Sequence, residues 1–419
     1  MTRDERQALC VERWIKNKCC GSIVAPTGFG KTSLAIIAIK KILKQKPLYK
    51  VLVIVPTIGL KEQWMLILDK NGLSLNSDVV VINTAATHEY QCDLLVLDEQ
   101  HRYSSIVYSN IFNTVKYKYI IGLTATFERL DGRHEIMQKY CPIVDIVSIH
   151  ECTINGWIAL YNEYQVLLKV DDIDEYKAMN RQFHEHFSFF NYEWDTVMKC
   201  LGPNGYKARL DLSKILCPYG SESERKRMFT TVTRHATQFM RIVQQRKRFI
   251  NNHPKKVEIA RRIIEMRPNA KIITFSNNVD MAEEIGMNGY VYTGRESKKK
   301  SRITLEEFKK LKSGVLHTVK KADTGLDIPG LSVAIMLGID SSRIRGVQSR
   351  GRCIRKEGDK IAEIFVLTID DTVELEWYKK SKPLGSKAIV IDEKGLEEVL
   401  KGKKPKPYTK PLSEFTYRF

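Results

Sequence analysis

The chain has 419 residues, more than one domain usually holds, and 43% of them are hydrophobic, ample for packed cores. Its 68 lysines and arginines against 49 acids leave a net charge of +19, which favours a polyanionic partner, nucleic acid first, over a merely soluble basic surface. Nine scattered cysteines without a C-x-x-C pair argue against a disulfide frame or a zinc site, the start is charged rather than apolar, and no run reaches transmembrane length, so a soluble cytoplasmic protein (nuclear in a eukaryotic host) without a membrane partner is expected.

Residues 5–16 have the spacing of a short amphipathic helix with Leu9, Val11, Trp14 and Ile15 as its apolar members. Gln7 on it is either a base-reading residue ahead of the next motif, placed to contact an adenine, or a solvent-facing glutamine. Residues 21–24 read as a buried strand and residues 33–43 as a helix. Between them lie Ala25, Pro26, Thr27, Gly28, Phe29, Gly30, Lys31 and Thr32. Strand, glycine turn and helix are the context of a phosphate-binding loop. Gly28 and Gly30 let successive N–H groups turn inward, Lys31 supplies charge for the outer phosphates, and the Thr32 hydroxyl is placed to ligate Mg²⁺. A plain glycine turn gives no reason for Lys-Thr to follow directly.

Apolar, β-branched runs at residues 51–55, 79–82, 94–97 and 119–123 suit parallel strands covered on both faces, with helices between them, as in a doubly wound sheet. Ligands bind at the carboxyl ends of such strands. The third run leads into Asp98-Glu99-Gln100-His101. With a phosphate loop upstream, Asp98 is expected to hold the metal and Glu99 to polarise an attacking water, while His101 links the site to neighbouring strand ends. Thr124 and Thr126, bracketing Ala125 at a strand end, are suited to couple hydrolysis to movement.

From about residue 174 to 249 strand-like runs vanish, and a helical insertion is expected. Its aromatic cluster (Phe183, Phe187, Phe189, Phe190, Tyr192, Trp194) is either the insertion's own core or a base-stacking surface. His184 and His186 are two apart, which places them on different helix faces, so partly buried histidines are preferred to a metal site. Arg241, Arg246, Lys247, Arg248, Lys255, Lys256, Arg261 and Arg262 form the densest basic run, for backbone phosphates or for solvation.

Residues 271–278 open a second α/β pattern, with further strands at 291–293, 315–318, 333–337 and 361–367 and no phosphate loop of its own. It ends in Asp323-Thr324-Gly325-Leu326-Asp327 and in Gln348-Ser349-Arg350-Gly351-Arg352-Cys353-Ile354-Arg355. Guanidinium groups are always charged and fork onto phosphate oxygens. The basic, proline-interrupted tail after Ser381 reads as an extended arm, for nucleic acid or another subunit, or as a solubilising end.

These motifs, in this order, resemble those of superfamily-two helicases. Ala-x-Thr-Gly-x-Gly-Lys-Thr, Asp-Glu-Gln-His and Thr-Ala-Thr match motifs I, II and III, and Val55-Pro56-Thr57 with Gln63-Trp64 matches motif Ia. Asn83-Thr84 falls where motif Ib lies, and the 323–329 and 348–355 segments match motifs V and VI. Residues 123–132 are similar to the XPB-type excision-repair branch, with Phe127 where a proline is usual. The segment from Ser342 to Lys356 is similar to UvsW-type phage recombination helicases. The resemblance implies two RecA-like parallel-sheet α/β motor domains in tandem with a mainly helical insertion: residues 1–158, an insertion at 159–250, a second motor domain at 251–380 and a basic tail at 381–419. It also implies ATP and Mg²⁺ in the cleft, with Gly325 and Asp327 beside the phosphates, Gln348 in coupling, and Arg352 and Arg355 reaching the γ-phosphate, where such an arginine contributes about 10³–10⁵ in rate. Nucleic-acid contacts are expected from Pro56, Thr57, Asn83, Thr84, Ser276, Asn277, Thr293, Gly294 and Thr318. The expected activity is an ATP-dependent DNA helicase or translocase in repair, recombination or replication. An RNA helicase and a catalytically silent basic scaffold are the rivals.

Overall fold

The computed structural model describes residues 1–105, 107–125, 134–286, 289–293, 297–319, 328–339, 361–382 and 388–408. Its first half is an all-parallel six-stranded sheet in the order β3-β2-β5-β7-β1-β8. The strands are β1 (Cys20–Val24), β2 (Val51–Val55), β3 (Ser77–Val81), β5 (Leu94–Asp98), β7 (Tyr119–Thr124) and β8 (Ile143–Ile146), while β4 (Tyr90–Gln91) and β6 (Val115–Lys116) pair apart from it. The continuous apolar runs of β2 and β5 are buried at every position, because both faces are covered. Alternate residues sort to the two faces. Val51, Val53, Val55, Leu94 and Val96 join the core that holds α1 (Arg3–Lys16), α2 (Lys31–Gln45) and α3 (Ile58–Lys70). Leu52, Ile54, Leu95 and Leu97 join the core under α4 (Ile82–Ala85), α5 (Ile111–Thr114) and α6 (His134–Tyr140), and α7 (Ile149–Ile154) closes this half.

The second sheet has seven parallel strands in the order β11-β12-β10-β13-β14-β9-β15. They are β9 (Leu160–Leu168), β10 (Lys271–Ser276), β11 (Tyr290–Tyr292), β12 (Gly314–Val319), β13 (Val333–Met336), β14 (Ile361–Ile369) and β15 (Ile389–Asp392). Two of the expected boundaries shift accordingly. Residues 159–250 are not all insertion: β9 pairs residue for residue with β14 and belongs to the second sheet. Residues 381–419 are not all tail: β15 pairs with β9, and the helix Glu393–Leu400 packs Leu396, Val399 and Leu400 into the second core. A lone strand normally pairs with its chain neighbours, so β9 looks like the end of the first sheet; its partners lie far downstream, where only the fold brings them together.

The insertion itself is α8 (Ile173–Ser188), α9 (Trp194–Leu201), α10 (Gly205–Leu216) and the long α11 (Glu222–Asn252). The aromatic cluster is its core: Phe183, Phe187 and Phe190 close with Val197, Val232, Ala236 and Phe239. His186 lies with its Nδ1 3.1 Å from His235 Nδ1, and no trio of metal-ligating side chains occurs among the described residues. His253 bonds Asp172 at 2.9 Å, so the entry and exit of the insertion meet. α12 (Pro254–Glu265) then enters the second domain, whose remaining helices include α13 (Val279–Ile285), α14 (Lys298–Lys310) and Glu374–Ser381.

Candidate nucleotide site and nucleic-acid face

The phosphate loop leaves the carboxyl end of β1 and is anchored sideways, the Ala25 N–H donating to the Thr124 carbonyl at the end of β7 (2.9 Å). Gly28 and Gly30 have φ of 91° and 96°, the left-handed region in which a side chain is strained. A Cβ on Gly30 would also collide with the Gln7 amide. Phe29 is fully buried and its ring sits 5.6 Å from that of Trp157, which pins the middle of the loop. Lys31 opens α2 and folds back with Nζ 3.4 Å from the Ala25 carbonyl. Thr32 is half-buried at the same helix start, as are Thr27 and Gly28, whereas Pro26 is buried.

Gln7 is not solvent-facing. It is buried, and its Nε2 donates to the Phe29 carbonyl at 2.6 Å. Its neighbour Arg6 fixes it there, bonding Asp145 at 2.5 Å and Glu151 at 2.6 Å and so tying α1 to β8 and α7. Arg13 adds a second cation to Asp145 at 2.6 Å. Burial opposes ionisation of Asp145, yet these guanidiniums hold its carboxyl below the usual range.

Asp98 and Thr124 end strands that are neighbours in the sheet, with Asp98 opposite Leu123 and Val24 opposite Thr124. The Asp98 carboxylate is therefore beside the loop. It is buried, and its pKa rises to about 6 through desolvation and the adjacent Glu99, opposed by hydrogen bonding from Trp64 and the charge of Lys31. Trp64, on α3, donates its indole N–H to Asp98 Oδ2 at 2.8 Å and is itself 1% exposed. This contact was missed in the motif reading; the Gln63-Trp64 pair was its only trace. Glu99 turns out of the strand at φ 51°, a strained conformation for a side-chain-bearing residue and one that concentrates at functional sites. His101 Nδ1 lies 3.0 Å from Thr124 Oγ1 and 3.5 Å from Glu99 Oε2, spanning two strand ends. Beneath them Gln100 is fully buried against Gly122, where any Cβ would strike its amide. Left-handed glycines, a lysine and a buried carboxylate facing it form a donor set that fits a triphosphate with a divalent cation.

The expected nucleic-acid contacts divide by exposure. Pro56 and Thr57 are half-buried at the carboxyl end of β2, where Thr57 caps α3 by accepting from the Leu60 N–H (3.3 Å). Asn83 and Thr84 are exposed on α4. In the second sheet the side chains of Ser276, Thr293 and Thr318 are instead buried. Thr318 donates to the Thr274 carbonyl at 2.7 Å and Ser276 to the Thr318 carbonyl at 3.4 Å, so both hydroxyls serve the sheet. Asn277, just past β10, is half-buried and donates to Asn251 at the end of α11 (2.7 Å). Thr126, Gly294, Gly325, Asp327, Gln348, Arg352 and Arg355 lie outside the described residues.

The basic run of the middle segment is divided between uses. Arg246 stacks over Phe183 at 4.1 Å, and Lys256 is buried with Glu374 at 2.5 Å. Lys255 pairs with Glu258 and Glu393, Arg262 with Glu397, and Arg261 donates to the Ile285 carbonyl. Arg241, Lys247 and Arg248 are exposed.

Two family models match the chain: the helicase conserved C-terminal domain over residues 255–357, and the type III restriction enzyme, res subunit, over residues 1–88 and 74–129. A relative in Sulfurisphaera tokodaii, named DNA 3'-5' translocase XPB2, is 27% identical over 385 residues, covering 86% of this chain and 80% of its own. Among solved structures, S. cerevisiae Dbp5 bound to RNA and ADP BeF3 superposes with a TM-score of 0.56 at 11% identity, covering 94% of this chain and 91% of that one, which is a likeness of fold. The helicase domain of Pyrococcus furiosus Hef aligns over 90% of this chain and 97% of that one at 18% identity with a TM-score of 0.49.

Proposed function

We propose, from the premise that this chain is a superfamily-two helicase resembling the XPB type, that it is an ATP-driven motor that moves on or remodels duplex or branched DNA. The observation that carries the reading is the meeting of loop, Asp98 and Thr124 at the carboxyl ends of adjacent strands, in a chain whose relative is named as a DNA translocase. The N–H groups of residues 28–32 and Lys31 would hold the phosphates of ATP, and Thr32 with Asp98 would hold Mg²⁺, which when bound neutralises charge on the phosphate oxygens. Glu99 orients the attacking water and accepts its proton. Trp64 donates to Asp98 Oδ2 and the Glu99 N–H to Oδ1, so both oxygens of the carboxylate are oriented. His101, bonded to Thr124, carries changes at Glu99 to the neighbouring strand end. Gln7 is assigned to an adenine by its position upstream of the loop alone, and Arg352 and Arg355 to the γ-phosphate by motif VI alone.

The test is ATP hydrolysis with duplex DNA, forked DNA, single-stranded DNA and RNA as stimulants. Stimulation by DNA is expected, and K31A and E99Q are expected to lower it at least about 10²-fold by removing phosphate charge or the base. Stimulation by RNA alone would replace the DNA reading with that of an RNA helicase. Unchanged biological activity in both variants would leave only a binding scaffold.

A further inference from the structure

On α11 the residues Arg227, Arg234, Arg241 and Arg248 recur every seven positions, and all four are exposed. Seven residues advance a helix by about 10.5 Å and bring it within ~20° of two whole turns, so the guanidiniums form one row about 32 Å long. The opposite face, Val232, Ala236, Phe239, Ile242 and Ile250, is the buried one, which fixes the row outward. Ser223, Thr230, Thr237, Gln245 and Asn252 fill the same face, and α11 has no carboxylate after Glu224. The hydroxyls of Thr230 and Thr237 bond back to the Lys226 and Thr233 carbonyls, leaving the arginines as the projecting groups. On the neighbouring helices α8 and α10 the exposed Glu185 and Asp211 are acids, Glu185 close enough to act on His235.

The contrast with the next helix is sharp. Along α12 Lys255, Lys256 and Arg262 each have a carboxylate partner, whereas among the described residues no ion pair engages the four arginines of the row. A row of one sign without acids beside it attracts a polyanion over a distance of about a Debye length, ~8–10 Å. Its length matches about one turn of duplex, ~34 Å, and guanidinium forks suit phosphate oxygens. The row also ends where other contacts are expected: Asn251 and Asn252 accept hydrogen bonds from Asn277 and Asn278 past the carboxyl end of β10.

We propose that the arginine row of α11 binds the phosphate backbone of duplex DNA, holding about one turn against the insertion beside the second motor domain. The proposal rests on the nucleic-acid motor reading and adds a site to it. The experiment compares the full chain with R227Q/R234Q/R241Q/R248Q, with R234Q/R241Q, and with a charge-matched control, K16Q/K44Q/K46Q/K70Q. The control residues are exposed at the C-terminal ends of α1, α2 and α3, which lead to the amino ends of β1, β2 and β3. Duplex affinity is measured from 50 to 200 mM salt, with helix content and unstimulated ATPase recorded alongside. The quadruple variant should keep both and flatten the slope of log affinity against log salt by about 3–4, at ~0.9 per lost phosphate contact, with the double variant halfway. The control should leave the slope within about one unit. An unchanged slope in the quadruple variant, an equal change in the control, or a change seen with single-stranded DNA but not with duplex overturns the row as a duplex site. A native chain that neither binds nucleic acid nor hydrolyses ATP overturns the motor reading instead.

Discussion

At the scale of single residues, the indole of Trp64 opposes the neutralisation of Asp98. A buried carboxylate beside Glu99 is pushed toward its neutral form, and the Trp64 N–H is one of the few groups holding it ionised. Because the folded pKa of about 6 lies above the ordinary 3.8, this group stabilises the protonated fold. That contribution is complete below about pH 4 and is lost as pH rises through 6, while Mg²⁺ affinity runs the other way, since the ion needs the carboxylate. Mg²⁺ titrations followed by thermal shift, with a non-hydrolysable ATP analogue, should show weaker binding at pH 5.5 than at pH 7.5. W64F should raise the half-saturating Mg²⁺ concentration about 10-fold, as outer-shell partners of metal ligands commonly do. An unaltered Mg²⁺ requirement would leave Trp64 as packing only. The glycine loop before Lys31 and the strand end at Asp98 and Glu99 were legible in the sequence because their motifs encode local geometry; the Trp64 contact was not, because its partner lies two strands and a helix away.

At the scale of elements, α12 is docked by a charge pair in a place without water. Lys256 and Glu374 are both fully buried 2.5 Å apart, Lys256 also donating to the Leu337 carbonyl and Glu374 accepting the Ile369 N–H. Desolvation drives the lysine pKa down and the glutamate pKa up, opposed by their mutual contact and, at Glu374, by the Ile369 N–H. K256M alone should destabilise the protein by about 3–5 kcal/mol, because it strands a buried carboxylate. K256M/E374Q should regain about half of that loss. Urea unfolding of the two variants and the native chain checks this; equal stability of K256M and the double variant would show that the pair is not coupled. From the sequence Lys256 belonged to a basic run, indistinguishable from its solvent-facing neighbours. Helix phase decides which lysines turn inward, and the acid that meets this one is on another helix.

At the scale of the whole molecule, the insertion is an arm on a closed base. Asp172 and His253 join its ends, and Tyr176, Arg246 and Ile250 pack its root beside Val373 of the second domain. Its outer part has a separate core of its own aromatics. Replacing residues 185–238 by a short turn, with the root intact, should therefore give a folded protein with unstimulated ATPase. It should also lose about 1.8 units of salt slope, since Arg227 and Arg234 go with the arm. Calorimetry and duplex binding measure the two outcomes; loss of ATPase together with folding would show that the arm is part of the motor's core. No described helix is long and apolar enough to cross a membrane.

By itself the sequence determined the two parallel sheets, the phosphate loop and the acids at the end of β5, because each is written in contiguous residues: continuous apolar runs, glycine spacing, a polar strand end. The placement of β9 and β15 in the second sheet, of Gln7 against the glycine loop and Trp64 against Asp98, and of the second-domain hydroxyls inside the sheet was decided only by tertiary structure. Those facts depend on pairing between distant segments and on which way a helix or strand faces. The arginine row lies between the two cases. Its period is in the sequence, but a seven-residue repeat becomes an exposed row only once the opposite side of α11 is buried against Phe183 and Phe187.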